Sequence, residues 1–214
     1  MPLSALADIR SGSLLHRDGA DAYYVLVGDI VAGALRTSRL ADGRLPAKSG
    51  AVAALAEHDI VVAMRGMTNA AAVVPALKAF DRPIFATLDV AVIRTGDAIL
   101  PAYLSWFLNL PTTQEVLSSQ RSASAAPRLP LPALKNLAVP LPTLARQAKI
   151  AAAADEGQRE RNLMNKLQQS RQRLLDDLLR QAAGEVPTPI EQVGTDHRPS
   201  GRRAATRPFS GRPV

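Results

Sequence analysis

The chain has 214 residues, of which 47% are apolar, only 4% are aromatic and none is cysteine. This allows a core built mainly of Ala, Val, Leu and Ile, and excludes a disulfide framework and a thiolate metal site. The net charge of +7 is spread too evenly for a simple polycation: residues 1–142 hold 13 basic and 11 acidic groups, 143–183 hold 8 and 5, and 184–214 hold 5 and 3.

No apolar run reaches the length of a membrane span, and the start, MPLSALADIRSG, lacks the features of a secretory signal. A bacterial-type cytoplasmic protein is the expectation. In chain order, Pro2 to Ile9 reads as a short helix ending before Ser11-Gly12. Tyr23 to Ile30 is a strand. Gly33 to Gly50 is polar, basic and glycine-punctuated, so it reads as a loop or hairpin tip. Asp59 to Met64 reads as a buried strand rich in Val and Ile. A turn over Gly66 to Ala70 leads to strands at Ala71–Val74 and Phe85–Ile93. Pro101 to Asn109 and Pro111 to about Gln120 are helices with proline at the start. Ser122 to Pro130 is loop, Pro132 to Asn136 a helical turn, and Leu137 to Leu141 a short strand. Strands first and helices after give an α+β class, with a curled sheet and small helices; no strand–helix alternation argues for a doubly wound parallel sheet. Three parts follow: a globular domain over 1–142, a long helix over 143–183, and a tail over 184–214 whose Pro, Gly and Arg content reads as disordered.

The junction is the richest segment. Pro140-Leu141-Pro142 stops a strand, and Thr143 can cap a helix running to about Ala183, although Arg146 stands where a capping box would have Glu or Gln. At 1.5 Å per residue that helix is roughly 60 Å long, too long to lie within one small domain. Its apolar residues, Ile150, Leu163, Met164, Leu167, Leu174, Leu175, Leu178 and Leu179, recur in steps of three and four. Gln168 to Arg171 interrupt them, and Gly157 costs about 1 kcal/mol against Ala. A helix this polar needs a partner for its apolar side.

No catalytic constellation is present. There is no glycine-rich nucleotide fingerprint, no phosphate-cradling loop ending in Lys-Ser/Thr, and no Asn-Pro-Pro-Tyr-type motif for a flipped base. His16, His58 and His197 are far apart and lack metal-ligand spacing. Asp59 reads as a turn carboxylate bonding local backbone. Neither a cofactor nor a metal is expected. The residues suited to nucleic acid lie in three loops. One holds Arg36, Arg39, Arg44 and Lys48; the second holds Arg65, Thr68 and Asn69; the third holds Arg121, Ser122 and Arg128. Arginine and lysine suit phosphates, while Arg, Asn, Ser and Thr also suit base edges. Local basicity supports this, since no acid occurs from Val116 to Ala154. Arg65 reads equally well as the partner of an acid, and Thr68 and Asn69 also fit a plain turn. Trp106 and Phe107 read as core.

The pattern PLPxxxxQxxI followed by a long helix resembles the end of a target-recognition domain in type I restriction-modification specificity subunits. LAEHDIVVAMRG (55–66), YVLVGDI (24–30) and RSASAAPRLPLPALKNLAVPLP (121–142) resemble that family's stretches in the same order. His58 stands where the family usually has Gly, and Ala145-Arg146 replaces a commonly acidic pair. The family usually carries two recognition domains; this chain has room for one, so a half-size form is implied. The resemblance implies a non-catalytic DNA-specificity subunit that reads half of a bipartite double-stranded DNA site. It also implies docking of methyltransferase subunits on the helical region, and a separate motor-nuclease subunit joining through the complex. Ile150, Leu163, Leu167, Leu174 and Leu178 are the expected contacts, with a second copy or with those partners. Two other readings stay open: the recognition part of a fused methyltransferase-nuclease, and a helical assembly or inhibitor protein that binds the partner subunits but not DNA.

Overall fold

The computed structural model describes residues 1–31, 33–46, 53–123 and 126–184. It divides into two units, Met1–Arg161 and Asn162–Val214. The tail from residue 185 and Lys48 lie outside the described residues.

The first unit is α+β. It contains β1 (Ala7–Ser11), β2 (Ala22–Val25), β3 (Ile30–Val31), β4 (Ala34–Leu35), β5 (Ala41–Gly43), β6 (Ile60–Ala63), β7 (Ala71–Val73), β8 (Ile84–Ala86) and β9 (Val90–Thr95). Three short helices follow: α1 (Pro101–Leu108), α2 (Pro111–Ser119) and α3 (Leu131–Lys135). Each has proline in its first two positions, where a missing N–H costs nothing. The last helix, α4 (Leu144–Ala182), contributes residues to both units.

A four-stranded antiparallel sheet of order β1-β9-β6-β7 is the centre of the unit. A second sheet, β5-β2-β8, has β2 parallel to β8 and antiparallel to β5; β3 and β4 form a small hairpin. All four residues of β6 are buried. Because strand side chains alternate, Ile60 and Val62 join the cluster with α1, α2 and α3, while Val61 and Ala63 join the cluster with Val25 and Ile84. The Val/Ile run that reads as a buried strand is therefore covered on both faces.

Four element expectations are corrected. The run Tyr23–Ile30 is a strand only as far as Val25; Val27–Asp29 is a 3-10 turn, and Ile30 belongs to the separate β3–β4 hairpin. Only Leu3–Ala5 of the first segment is helical, as a single 3-10 turn, and Ala7–Ser11 is a strand. Pairing with β9, from Ala7 opposite Thr95 to Ser11 opposite Ala91, overrides the local helical preference. The chain crosses directly from this strand toward β8: Gly12 N–H bonds Val90 O and Ser13 N–H bonds Ala86 O. A Cβ on Gly12 would lie 2.2 Å from Ala86 O, so only glycine fits that approach. The run 85–93 is two strands in different sheets, separated by a turn at Thr87–Asp89. Leu137–Leu141 contributes one bridge, Ala138 to Pro2, and no longer strand.

The turn into β6 carries an internal ion pair. The Asp59 side chain is buried, and Arg94 Nε and Nη2 each bond it at 2.7 Å; Ala56 N–H donates at 2.9 Å. The hydrogen-bonded carboxylate favours the charged guanidinium of Arg94 and raises its pKa from the ordinary value. His58, just before Asp59, has φ 71°. That left-handed conformation favours glycine, which is the residue the resemblance leads one to expect there.

The motif glutamine anchors the last helix. Gln147 is completely buried. Its amide donates to Ala98 O at 3.1 Å and Pro142 O at 2.9 Å, and its Oε1 accepts Leu100 N–H at 2.8 Å. Ile150 and Ala151 pack against the core one turn on. In the second unit every described residue from Asn162 is exposed. No helix among the described residues is long and apolar enough to cross a membrane.

Candidate nucleic-acid interface

Two of the three predicted loops meet. Residues after β6 run beside the segment before α3: Arg65 and Arg128 form a bridge, Leu129 N–H bonds Met64 O at 2.8 Å and Gly66 N–H bonds Pro127 O at 3.1 Å. Gly66 has φ 110°, which turns the chain sharply where a side chain would be strained. The turn before β9 adds Asp89, whose backbone oxygen accepts Met64 N–H at 2.8 Å.

Three guanidiniums converge there. Arg65 and Arg128 both pair with Asp89, at 3.3 and 3.5 Å, and Arg128 Nη2 donates to Leu88 O at 2.9 Å. Arg121 uses neutral acceptors: Nε donates to Asn69 Oδ1 and Nη1 to Met67 O, both at 2.8 Å. Ser122 Oγ accepts Arg128 N–H at 3.1 Å and so ties the third loop to itself. Arg65 and Arg128 are about half exposed, at 50% and 45% of the side chain. One carboxylate among three cations leaves an outward positive potential that suits phosphate.

The support behind this patch is made of amides. Asn69 is completely buried. Its Nδ2 donates to Ala63 O at 2.7 Å, so its side chain orients Arg121 and does not face solvent. Its backbone is held at both ends by Gln114, which accepts Asn69 N–H at 2.9 Å and donates to Asn69 O at 3.0 Å. Asn109 does the same for Ala71, accepting its N–H at 3.1 Å and donating to its carbonyl at 2.8 Å. These two side chains satisfy backbone groups at and just before the edge strand β7, which pairs with no further strand among the described residues. Thr68 is exposed beside the patch.

The first predicted loop does not join this cluster through any hydrogen bond or ion pair among the described residues. Arg36 and Arg39 lie between β4 and β5, both exposed, and Arg44 pairs with Asp18 at 3.3 Å. Its neighbourhood includes Arg82, which stacks on Tyr23 at 3.9 Å and bonds Asp42 at 2.9 Å. Sequence reasoning missed Asp89, Asn109 and Gln114; the polar residues of α1 and α2 carry no local signal that they face backbone. The Arg-rich loops themselves were visible. Along α4, Ile150 is half-buried in the first unit, whereas Leu163, Leu167, Leu174 and Leu178 are between 53% and 66% exposed. No cluster of three His, Asp or Glu with metal-holding geometry occurs among the described residues.

This arrangement of sheets, short helices and a closing long helix is the fold of type I specificity subunits. A chain of a type I R-M system, solved in work on complex assembly and conformational transition, superposes with a TM-score of 0.62 at 17% identity, over 83% of this chain and 42% of that one. The HsdS subunit from Thermoanaerobacter tengcongensis superposes with a TM-score of 0.54 at 18% identity, over 78% of this chain and 39% of its own length. The chain thus spans about two-fifths of the solved chains it matches. No protein-family model and no curated protein matches it.

Proposed function

We propose that this chain is the DNA sequence-specificity subunit of a type I restriction-modification system. Residues 1–142 read one half of a bipartite site, and residues 143–183 dock methyltransferase subunits and a second copy. The observation that carries the reading is the meeting of Arg65, Arg121 and Arg128 on one surface of a domain with the specificity-subunit fold. The chain does no chemistry itself; it positions partners that do.

In this reading the Asp89 pairs of Arg65 and Arg128 exchange for phosphate oxygens or base edges on binding, with release of counterions. Arg121, held by Asn69, presents a preset guanidinium. Thr68 and Ser122 add hydroxyls, and Arg36, Arg39, Arg44 and Lys48 extend the phosphate track. The leucines of 163–178 pair two copies antiparallel, and the resulting twofold symmetry makes the whole site palindromic. The motor-nuclease subunit joins through the methyltransferase complex.

Competition binding at several salt concentrations, with the chain assembled with its methyltransferase, tests the reading. Arg39→Ala and Arg128→Ala should each lower the salt slope by about one. Arg65→Ala should cost about 1–3 kcal/mol and relax the target at one position. Asp89→Asn should act oppositely and strengthen binding to all sequences. Wild-type affinity, slope and preference in all four variants would place the DNA face elsewhere; an assembly that binds the methyltransferase but no DNA would favour the assembly-protein reading.

A further inference from the structure

The patch contains a residue that neither phosphate binding nor packing explains. Met67 is 81% exposed, yet its backbone is fixed from three sides. Gly66 before it is turned at φ 110° and bonds Pro127 O; Arg121 Nη1 holds the Met67 carbonyl at 2.8 Å; Asn69 beyond it is buried and clamped by Gln114. Leu88 repeats the arrangement. It is 43% exposed, and its carbonyl accepts Arg128 Nη2 at 2.9 Å. A single exposed apolar residue is ordinary on a protein surface. An unburied thioether on a rigid loop tip, with its own carbonyl held by one of three clustered guanidiniums, is a different situation. Folding gains nothing from that side chain, while the turn that presents it uses a left-handed glycine and several directed hydrogen bonds.

Resting on the DNA-reading function proposed above, we infer that Met67 is a specificity-determining residue that makes an apolar contact with DNA bases. The arginines bring the duplex to the surface through its phosphates, and the thioether then meets the one part of a base that is apolar. That part is either a thymine C5-methyl group or the face of a base at an opened step. Both are the same chemistry: apolar surface leaves water on binding, and the affinity gained depends on which base is present. Methionine suits the task because its unbranched side chain adapts to either shape.

The full-length protein, assembled with its methyltransferase, is first used to select its target from random duplexes. Wild type, Met67→Ala and Met67→Leu are then compared on that target, with uracil in place of each thymine in turn and 2-aminopurine in place of each adenine. Wild type should lose about tenfold in affinity at one uracil position, which identifies the methyl group, or brighten 2-aminopurine at one step, which identifies the base face. Met67→Ala should bind about tenfold more weakly and show no response at that position, Met67→Leu should keep most of both, and the salt slope should stay at the wild-type value in all three. Exposure of the side chain means that each variant should melt as wild type does. A wild type that selects a target but responds to neither base analogue, or a Met67→Ala that responds as wild type does, overturns this inference and leaves DNA reading intact. A wild type that selects no target overturns DNA reading and this inference with it.

Discussion

The two units use side chains in opposite ways. Within Met1–Arg161, the buried amides of Asn69 and Gln147, and those of Asn109 and Gln114, meet backbone groups of their own unit. Between Asn162 and Gly184 the leucines are left at the surface, at 50–66% exposure for Leu163, Leu167, Leu174, Leu175, Leu178 and Leu179. One unit is specified by contacts within its own sequence. The other leaves its apolar positions uncovered among the described residues. A single helix, α4, contains both regimes, so helix propensity does not separate them; the presence of packing partners does.

The widest test of that contrast is self-association. Leu167→Asp combined with Leu174→Asp should convert a dimer to monomers. Four leucines per dimer lose burial worth roughly 1.5 kcal/mol or more each, which is beyond about 10⁴-fold in dissociation constant. The first unit should keep its unfolding transition. Sedimentation of a wild type that stays monomeric at concentrations on the order of tens of micromolar, the range in which a coiled-coil pairing of ~8 kcal/mol would be populated, would rule out pairing between copies and leave methyltransferase docking as the use of the stripe.

The next test compares two glutamines on the same helix. Gln147→Ala leaves Leu100 N–H and the Ala98 and Pro142 carbonyls without that partner, and should cost about 2–3 kcal/mol. Gln172 bonds the exposed Asp176, so Gln172→Ala should change stability by less than about 0.5 kcal/mol. Denaturant melts of both variants decide the point: equal effects would mean that Gln147 is not an anchor.

The same division explains what could be read in advance. The buried β6, the proline-started helices and the 140–150 junction announce themselves because each is set by local chemistry or by continuous apolar sequence. The strand at Ala7–Ser11 does not, because its partner lies about eighty residues away in β9. Nor does the break at Thr87–Asp89, where one apolar run serves two sheets. Asn69 shows the limit for the candidate site. Its type suits a base edge, but burial decides its use, and burial depends on Gln114 and Ala63. Arg65 and Arg128 were legible as basic loop residues, while their meeting at Asp89 was not.

His58 offers a smaller test in which local conformation alone is at stake. Its φ of 71° carries the left-handed penalty that glycine avoids. Its exposed side chain has Glu57 nearby, at 3.6 Å. His58→Gly should therefore stabilise the first unit by about 1 kcal/mol, less the extra entropy glycine loses on folding. A destabilised variant would show that the imidazole has a structural role beyond the turn.

The smallest effect concerns Tyr103, which links α1 to the junction by donating its hydroxyl to Pro140 O at 2.9 Å. The residue is almost completely buried, and burial pushes the phenol up from its ordinary value of 10.0. Tyr103→Phe removes that bond and leaves the Pro140 carbonyl without it, at a cost of about 1 kcal/mol near neutral pH. The two proteins should then converge in alkali. Between the unfolded and folded values the folded chain keeps a proton that the unfolded chain releases, so stability falls as pH rises. The contribution of the hydroxyl is complete below about pH 10 and is lost progressively as pH climbs through the raised folded value. Phenylalanine has no proton to lose, so its variant lacks this component of the alkaline decline. Urea melts of both proteins at neutral pH and at about pH 11 measure the gap directly. A gap that stays constant with pH would mean that the Tyr103 hydroxyl is not held neutral at the junction.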